Sequence, residues 1–366
     1  MKKRIGIIFG GKSAEHEVSL QSAKNVIEAI DKNRYEPVLI GIDKKGIWHI
    51  ADSKEYLQNV TNPKLIALNN KDERISIIPG TDKNQIAVSG NNRYKGNIDA
   101  AFPVLHGPYG EDGSVQGILK LANIPFVGAS VLGSAVGMDK DVMKRILRDA
   151  KIPIADFLSF TKRQVKEIKF NLIRDKLGLP LFVKPANLGS SVGISKVITE
   201  KELEEAVQKA FGFDRKIIIE ECISGREIEC AVLGNDEPIA SVPGEVKSNS
   251  DVHGFYSYEA KYIDENGAIL EIPASLNEHI IEKIKKLAIR VFKSLCCEGM
   301  ARVDFFLKSN DEIVVNEINT IPGFTKISMY PKLWEISGKS YTELITDLIE
   351  LAMQRHDEEI KLTTSV

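Results

Sequence analysis

The chain opens on a short, unbroken apolar run, RIGIIFG at residues 4–10, with the length and β-branched content of a buried strand. Behind it Ala23, Val26, Ile27 and Ile30 recur at helical spacing, and EPVLIGID reads as a strand again. Strand, helix and strand in that order predict a parallel sheet joined by crossover helices. NIDAAFPVLHG supplies a further strand ending at His106. Its loop HGPYGEDGS leads into the helical stretch VQGILKLANI, and IPFVGAS closes this first unit near residue 125.

After MDKDVMKRILRDAKIPIADF the pattern changes. LPLFVKPANLGSSVGISKV reads as a strand, a Gly/Ser loop and a second strand, a hairpin pattern. Thr199 and Glu202 form a capping box that opens a helix with Leu203, Ala206, Val207 and Ala210 on one face. KIIIEECISGREIECAVLG gives two more strands about a turn at Ser224-Gly225. The stretch from 247 to 267 is long, polar and aromatic, and a loop of that length inside a compact domain is usually functional. A second capping box at Ser275 and Glu278 precedes Ile280, Ile281, Ile284, Leu287, Ala288 and Val291 at helical spacing. Two further strands meet at Ser309-Asn310-Asp311. A C-terminal helix carries Leu344, Leu348, Ile349 and Leu351, and the tail TTSV is expected to fray.

A length of 366 residues suggests two or three domains. Apolar content of 43% and charged content of 27% are ordinary for a soluble globular protein. A net charge of −2 gives no basic field, which argues against nucleic acid as a partner. The apolar run IGIIF is too short for a signal peptide or a membrane span, so the expected compartment is the cytoplasm. Cys222, Cys230, Cys296 and Cys297 fit no metal-ligand spacing and read as reduced, mostly buried thiols.

Candidate chemistry concentrates in RVDFFLKSNDEIVVNEINTIPGFT, residues 302–325. Arg302 and Asp304 are two apart, as are Glu317 and Asn319, and residues two apart on a strand share a face. Paired as a hairpin, the strands present an arginine, two carboxylates and an amide on one face, while Val303, Phe305, Val315 and Ile318 turn to a core. Adjacent carboxylates repel unless a cation or a proton sits between them, and hard oxygen ligands suit Mg²⁺. A plainer reading is an exposed strand face with an Arg302–Asp304 salt bridge. Lys184 beside PANLGSSVG is either a phosphate cradle or part of an ordinary hairpin loop, and Lys140 is either a second phosphate lysine or a solvated helix residue. Glu220 and Glu227 flank a connector suited to an adenine edge, or are two surface acids near a turn. The glycine pair in IFGGKSAEHEVS lacks dinucleotide spacing. Its helix N-terminus could hold a carboxylate and Glu15 an ammonium group. His106 sits at a strand end before a Gly-rich loop, a common functional position in α/β folds.

The segments GGKSAEHEVSLQSA, HGPYGEDGSVQG, MDK, KPANLGSSVG, EAKY, RVDFF and NEINTIPGFT, in that order between residues 4 and 350, together resemble the D-alanine–D-alanine ligases of the ATP-grasp superfamily. The resemblance implies an α/β fold of three domains. These are an N-terminal Rossmann-like substrate domain at 1–125, a central subdomain with the phosphate loop at 126–215, and a C-terminal subdomain at 216–366 with lid, metal site and oxyanion donors. ATP would lie between the second and third. It implies ligation of two D-alanine molecules through a D-alanyl phosphate, for peptidoglycan precursor synthesis. Asp304, Glu317 and Asn319 would hold two Mg²⁺ ions, or Mn²⁺ in their place.

By the same resemblance, Arg302 and the backbone N–H of Gly323 would stabilise the oxyanion. Lys140, Lys184 and Lys261 would contact phosphates, and Glu220, Ile223 and Glu227 would contact adenosine. Glu15 would hold the first substrate's ammonium, with Ser190 and Tyr262 closing the 247–267 lid over it and His106 nearby. Ser328 would bind the second substrate's carboxylate, and Met329 beside it would be a further substrate-binding residue. The family suggests a homodimer. The alternative is a D-alanine–D-lactate or D-alanine–D-serine ligase of the vancomycin-resistance type. The tyrosine in EAKY and a methionine rather than arginine at 329 favour D-alanine.

Overall fold

A computed structural model describes residues 1–51, 56–59, 62, 65–69, 73–80, 84–89, 95–248, 268–325 and 327–363. Lys261, Tyr262 and nearly all of the expected lid lie outside these residues, as does most of the TTSV tail.

In the first sheet Tyr35–Ile42, Lys3–Gly10 and Ala100–Val104 run parallel, side by side. They are apolar over most of their length because both faces are covered. The sheet is mixed, however. Trp48–Ala51, Glu73–Ile77, Ile86–Val88 and Lys95–Gly96 extend it through antiparallel pairings on one side, which the parallel expectation did not include. The helix His16–Ala29 buries Ala23 and Val26 against it.

A four-stranded antiparallel sheet follows in the order Phe157–Thr161, Lys216–Glu221, Leu181–Pro185, Ser195–Val197. The strand Lys216–Glu221 is central to this sheet, so a division at residue 215 falls in front of a strand that belongs with what precedes it. The chain changes sheets at 222–225 instead. The third sheet has Ala268–Glu271, Gly244–Ser248, Arg226–Gly234, Gly299–Leu307 and Ile313–Asn319 in that order. Helix Glu278–Ser294 packs Ile280, Ile284, Leu287, Ala288 and Val291 onto it.

The capping box at Thr199 and Glu202 forms. The one at Ser275 does not: Asn277 takes the N-cap position, and the Ser275 carbonyl accepts from Arg226 instead. All four cysteines are free thiols. Cys230 and Cys297 are buried, Cys222 is half-buried and Cys296 is exposed. One apolar cluster joins Phe102 and Val104 of the first sheet to Phe324, Tyr330 and Leu348 of the C-terminal part. The loop after residue 319 is thereby fixed against the first domain.

Candidate active site

Strands Gly299–Leu307 and Ile313–Asn319 pair antiparallel, with Arg302 opposite Asn319 and Asp304 opposite Glu317. The register then slips, so that Phe305 faces Val315 and Asn316 is an extra residue. This β-bulge resolves a conflict of spacing. Val315 and Ile318 are three apart and would point to opposite faces of a regular strand, yet both are buried in one cluster with Val303 and Phe305. The bulge reverses the alternation, which leaves Glu317 and Asn319 on the face shared with Arg302 and Asp304.

On that face Arg302 grips Asp304 with two hydrogen bonds, Nε to Oδ1 at 2.7 Å and Nη2 to Oδ2 at 2.8 Å. Asn319 Nδ2 donates to Asp304 Oδ2 at 3.0 Å, and Glu317 Oε2 lies 3.0 Å from Lys140 Nζ. The Arg302–Asp304 salt bridge of the plainer reading is therefore real, and it sits inside a larger cluster. The neighbouring strand Arg226–Gly234 sets Glu229 opposite Asp304, with Oε2 at 2.8 Å from Arg302 Nε.

A cavity of about 340 Å³ opens beside this face, lined by Lys184 and Glu220 from the four-stranded sheet and by Glu227, Phe306, Asn316 and Glu317 from the third sheet. Lys140, Ile223 and the Gly189–Ser191 loop complete its walls. Lys184 and Glu317 thus look into one space. Lys184 Nζ lies 2.5 Å from Glu220 Oε2, and Lys144 Nζ lies 3.0 Å from Glu220 Oε1. Glu220 is 3% exposed and Lys144 1%. Burial opposes the charge on Glu220, but Lys144 and Lys184 hold its carboxyl down at about 2. Burial lowers the Lys144 ammonium, with Glu220 opposing that and Lys184 adding to it. Burial also works against Lys140, yet Glu317 outweighs it and the ammonium is held above its ordinary value. Lys140 is tied to the loop as well, donating from N to Ala186 O and from Nζ to Leu188 O, both at 2.9 Å.

Toward the first sheet, Glu15 at the start of helix His16–Ala29 is buried and accepts from Ser190 Oγ across the loop. Gly107 passes so close that a Cβ there would stand 2.7 Å from Glu15 Oε2, and its φ of +80° suits glycine. His106 is buried, with Nδ1 3.1 Å from Ile321 O and Nε2 3.2 Å from Ser22 Oγ. Because Ile321 O only accepts, Nδ1 carries the proton. Ser22 Oγ in turn accepts from Phe324 N at 3.3 Å. Burial holds the His106 imidazole neutral, its pKa down at about 4. This relay pins the loop on both sides of Gly323. Ser328 is the N-cap of Met329–Ile336, and its Oγ accepts from Thr325 N at 3.0 Å. Met329 departs from the expectation of a substrate contact: its side chain is buried in the core cluster with Phe324 and Leu333, against Gly244.

Sequence reasoning missed Lys144, Glu229, Glu111 and Ser22. Lys144 carries a signal, since it lies four residues after Lys140 on one helix face. Glu229 is two after Glu227 in an otherwise apolar strand. Glu111 accepts from Gly107 N at 2.7 Å, and burial and the nearby Glu15 push its carboxyl up to about 8. Ser22 looked like any small helix residue.

Two lysines and a buried glutamate in a cleft between two sheets, beside a hairpin face of carboxylates and an arginine, within this mixed α/β fold, define an ATP-grasp ligase. The family profile for the D-ala D-ala ligase N-terminus matches residues 4–129, and that for the D-ala D-ala ligase C-terminus matches residues 146–350. The chain belongs to the D-alanine–D-alanine ligase family. It is 57% identical over 365 residues to the D-alanine–D-alanine ligase of Oceanobacillus iheyensis, covering 100% of this chain and 99% of that one. The structure of the D-alanine-D-alanine ligase from Coxiella burnetii superposes with a TM-score of 0.85 at 40% identity, covering 98% of this chain and 96% of that one. The VanG D-Ala:D-Ser ligase from Enterococcus faecalis superposes with a TM-score of 0.83 at 37% identity, covering 96% and 100%.

Proposed function

We propose that this ligase joins two D-alanine molecules into D-alanyl-D-alanine, with ATP activating the first carboxylate as an acyl phosphate, and that the residues just described do the work. The observation that carries this reading is that Glu317, on the strand face it shares with Arg302, Asp304 and Asn319, lines the same cavity as Lys140 and Lys184. Phosphoryl transfer asks a protein mainly for positioning and charge neutralisation, and this wall is built for both.

Asp304, Glu317 and Asn319 fit a hard divalent cation, because they offer carboxylate and amide oxygens from one strand pair and suit an ion that completes its shell with phosphate and water oxygens. Two Mg²⁺ ions, or Mn²⁺, bound there would neutralise phosphate charge. Lys140 and Lys184 stand on Glu317 and Glu220 until phosphates offer them a stronger partner. Ile223 and Glu227 take the adenosine end. Lys261, outside the described residues, is read as a further phosphate contact.

Glu15, supported by Ser190, receives the first substrate's ammonium. His106 stays neutral and holds the Ile321–Phe324 loop so that the Gly323 N–H faces the reacting carbonyl, with Arg302 as the second donor. The Ser328 hydroxyl at a helix N-terminus receives the second carboxylate. Tyr262 closes the lid over Ser190, excluding the water that would hydrolyse the acyl phosphate. We place the working units at 1–125, 126 to the 222–225 connector, and from there to 366. We read the active form as a cytoplasmic homodimer. Among the described residues no helix is long and apolar enough to cross a membrane.

The test is phosphate release from ATP with D-alanine alone, and with D-lactate or D-serine offered against D-alanine, across pH. D-Alanyl-D-alanine as the dominant product at neutral pH supports the reading. Dominant D-alanyl-D-serine would put the chain with its VanG-like neighbour instead.

A further inference from the structure

We propose that Glu229 is a positioning residue that takes over Arg302 when Asp304 turns to the metal. The inference rests on the reading of Asp304 as a metal ligand and asks how that residue can serve two partners. Both Asp304 oxygens are committed to Arg302, and Oδ2 also accepts from Asn319. A cation taken up on the remaining lone pairs of that carboxylate draws charge away from the fork and weakens its hold on Arg302. Arg302 Nε carries one hydrogen, and two carboxylate oxygens lie almost equally near it: Asp304 Oδ1 at 2.7 Å and Glu229 Oε2 at 2.8 Å. The hydrogen now points to Asp304.

Glu229 is held at that distance by the sheet itself, since its strand sets it directly opposite Asp304, and it is only 8% exposed. A small rotation of the guanidinium turns the fixed Nε–H toward Glu229 and releases Asp304 Oδ1. Arg302 keeps its charge partner and its position facing the reacting carbonyl. Glu229 gives Arg302 a second carboxylate, so metal and arginine need not compete for Asp304.

The experiment is a Mn²⁺ titration of the full chain with ATP and no D-alanine, followed by electron paramagnetic resonance, on wild type, Glu229→Ala, Glu229→Gln and Asp304→Ala. Glu229→Ala should raise the Mn²⁺ midpoint roughly tenfold, the scale of one hydrogen bond to a charged group. Glu229→Gln, which keeps an acceptor oxygen without the charge, should recover much of that loss. Turnover should follow the same order in kcat, with the KM for ATP at saturating metal little changed. Equal losses in the glutamine and alanine variants would mean that only the negative field matters, and would overturn the handover. A Glu229→Ala midpoint equal to wild type, with Asp304→Ala weakened, would overturn this proposal alone. An Asp304→Ala midpoint equal to wild type would remove the metal reading beneath it.

Discussion

Lys144 gives the most exacting test of how the charges around Glu220 are balanced. It is buried at 1% exposure, and its Nζ stands 3.0 Å from Glu220, itself 3% exposed. Glu220 also holds Lys184 at 2.5 Å, so one buried carboxylate carries two ammonium groups. Replacing Lys144 with methionine keeps the length and apolar stem of the side chain and deletes one cation. Breaking a buried pair outright costs about 3–5 kcal/mol because the remaining charge is stranded. Here Lys184 still compensates Glu220, so the loss in folding stability should be about 2 kcal/mol. The larger consequence is functional. Lys184 can leave Glu220 for a phosphate because Lys144 stays behind. In Lys144→Met its departure strands a buried carboxylate, so nucleotide affinity should fall by a further 2 kcal/mol or so, roughly thirtyfold. Urea unfolding gives the first number, and calorimetry with a non-hydrolysable ATP analogue gives the second. Lys144→Met combined with Glu220→Gln should regain the stability, since the charge and its partner then go together. If Lys144→Met binds the analogue within about twofold of wild type, the idea that Lys144 frees Lys184 is wrong.

Asp304→Ala should abolish phosphate release with D-alanine while the melting curve stays near wild type, because Arg302 keeps Glu229 at 2.8 Å; normal turnover at saturating Mg²⁺ would show the hairpin face to be structural. His106 binds its proton at about 4 in the fold against 6.5 ordinarily, so the unfolded chain holds the extra proton in between. Its contribution is intact above 6.5 and lost as pH falls to about 4, roughly 3 kcal/mol in all, and urea unfolding of His106→Gln should show a flatter acid limb. Tyr262→Phe should raise D-alanyl-D-lactate relative to D-alanyl-D-alanine, most at low pH where the competing amine is held as an ammonium ion. An unchanged product ratio across pH would remove Tyr262 from substrate selection.

Much of this site could be read from the chain because its parts lie on strands, where spacing of two fixes a face. Arg302 and Asp304 needed no tertiary information to be placed together, and Lys184 closes an apolar run near the end of its strand. What could not be read was pairing across long separations. Glu229 meets Arg302 only because the strand Arg226–Gly234 lies between Gly244–Ser248 and Gly299–Leu307, an order that alternation does not encode. Ser22 reaches His106 and Phe324 across separations of 84 and 302 residues. The division near 215 stands in front of a strand of the second sheet for a related reason. Two strands about a turn at Ser224-Gly225 look like one hairpin, whereas Lys216–Glu221 and Arg226–Gly234 join different sheets, and the connector between them lines the cavity.

The bulge at Asn316 shows how far the local pattern reaches. Val315, Ile318, Glu317 and Asn319 cannot all be served by a regular strand: with the carboxylate and amide on one face, alternation puts Ile318 opposite and Val315 beside Glu317. The apolar spacing of three thus requires an irregularity between 315 and 318, and the register slip falls there. The extra residue then does something alternation could not. Asn316 and Glu317, consecutive in the chain, both line the cavity with Lys184 and Glu220, although neighbours on a regular strand point to opposite faces. The strand gains an additional polar side chain toward the cavity without giving up Ile318 to solvent. A strand whose apolar period breaks by one residue beside a carboxylate is therefore a place to expect two adjacent side chains in one site.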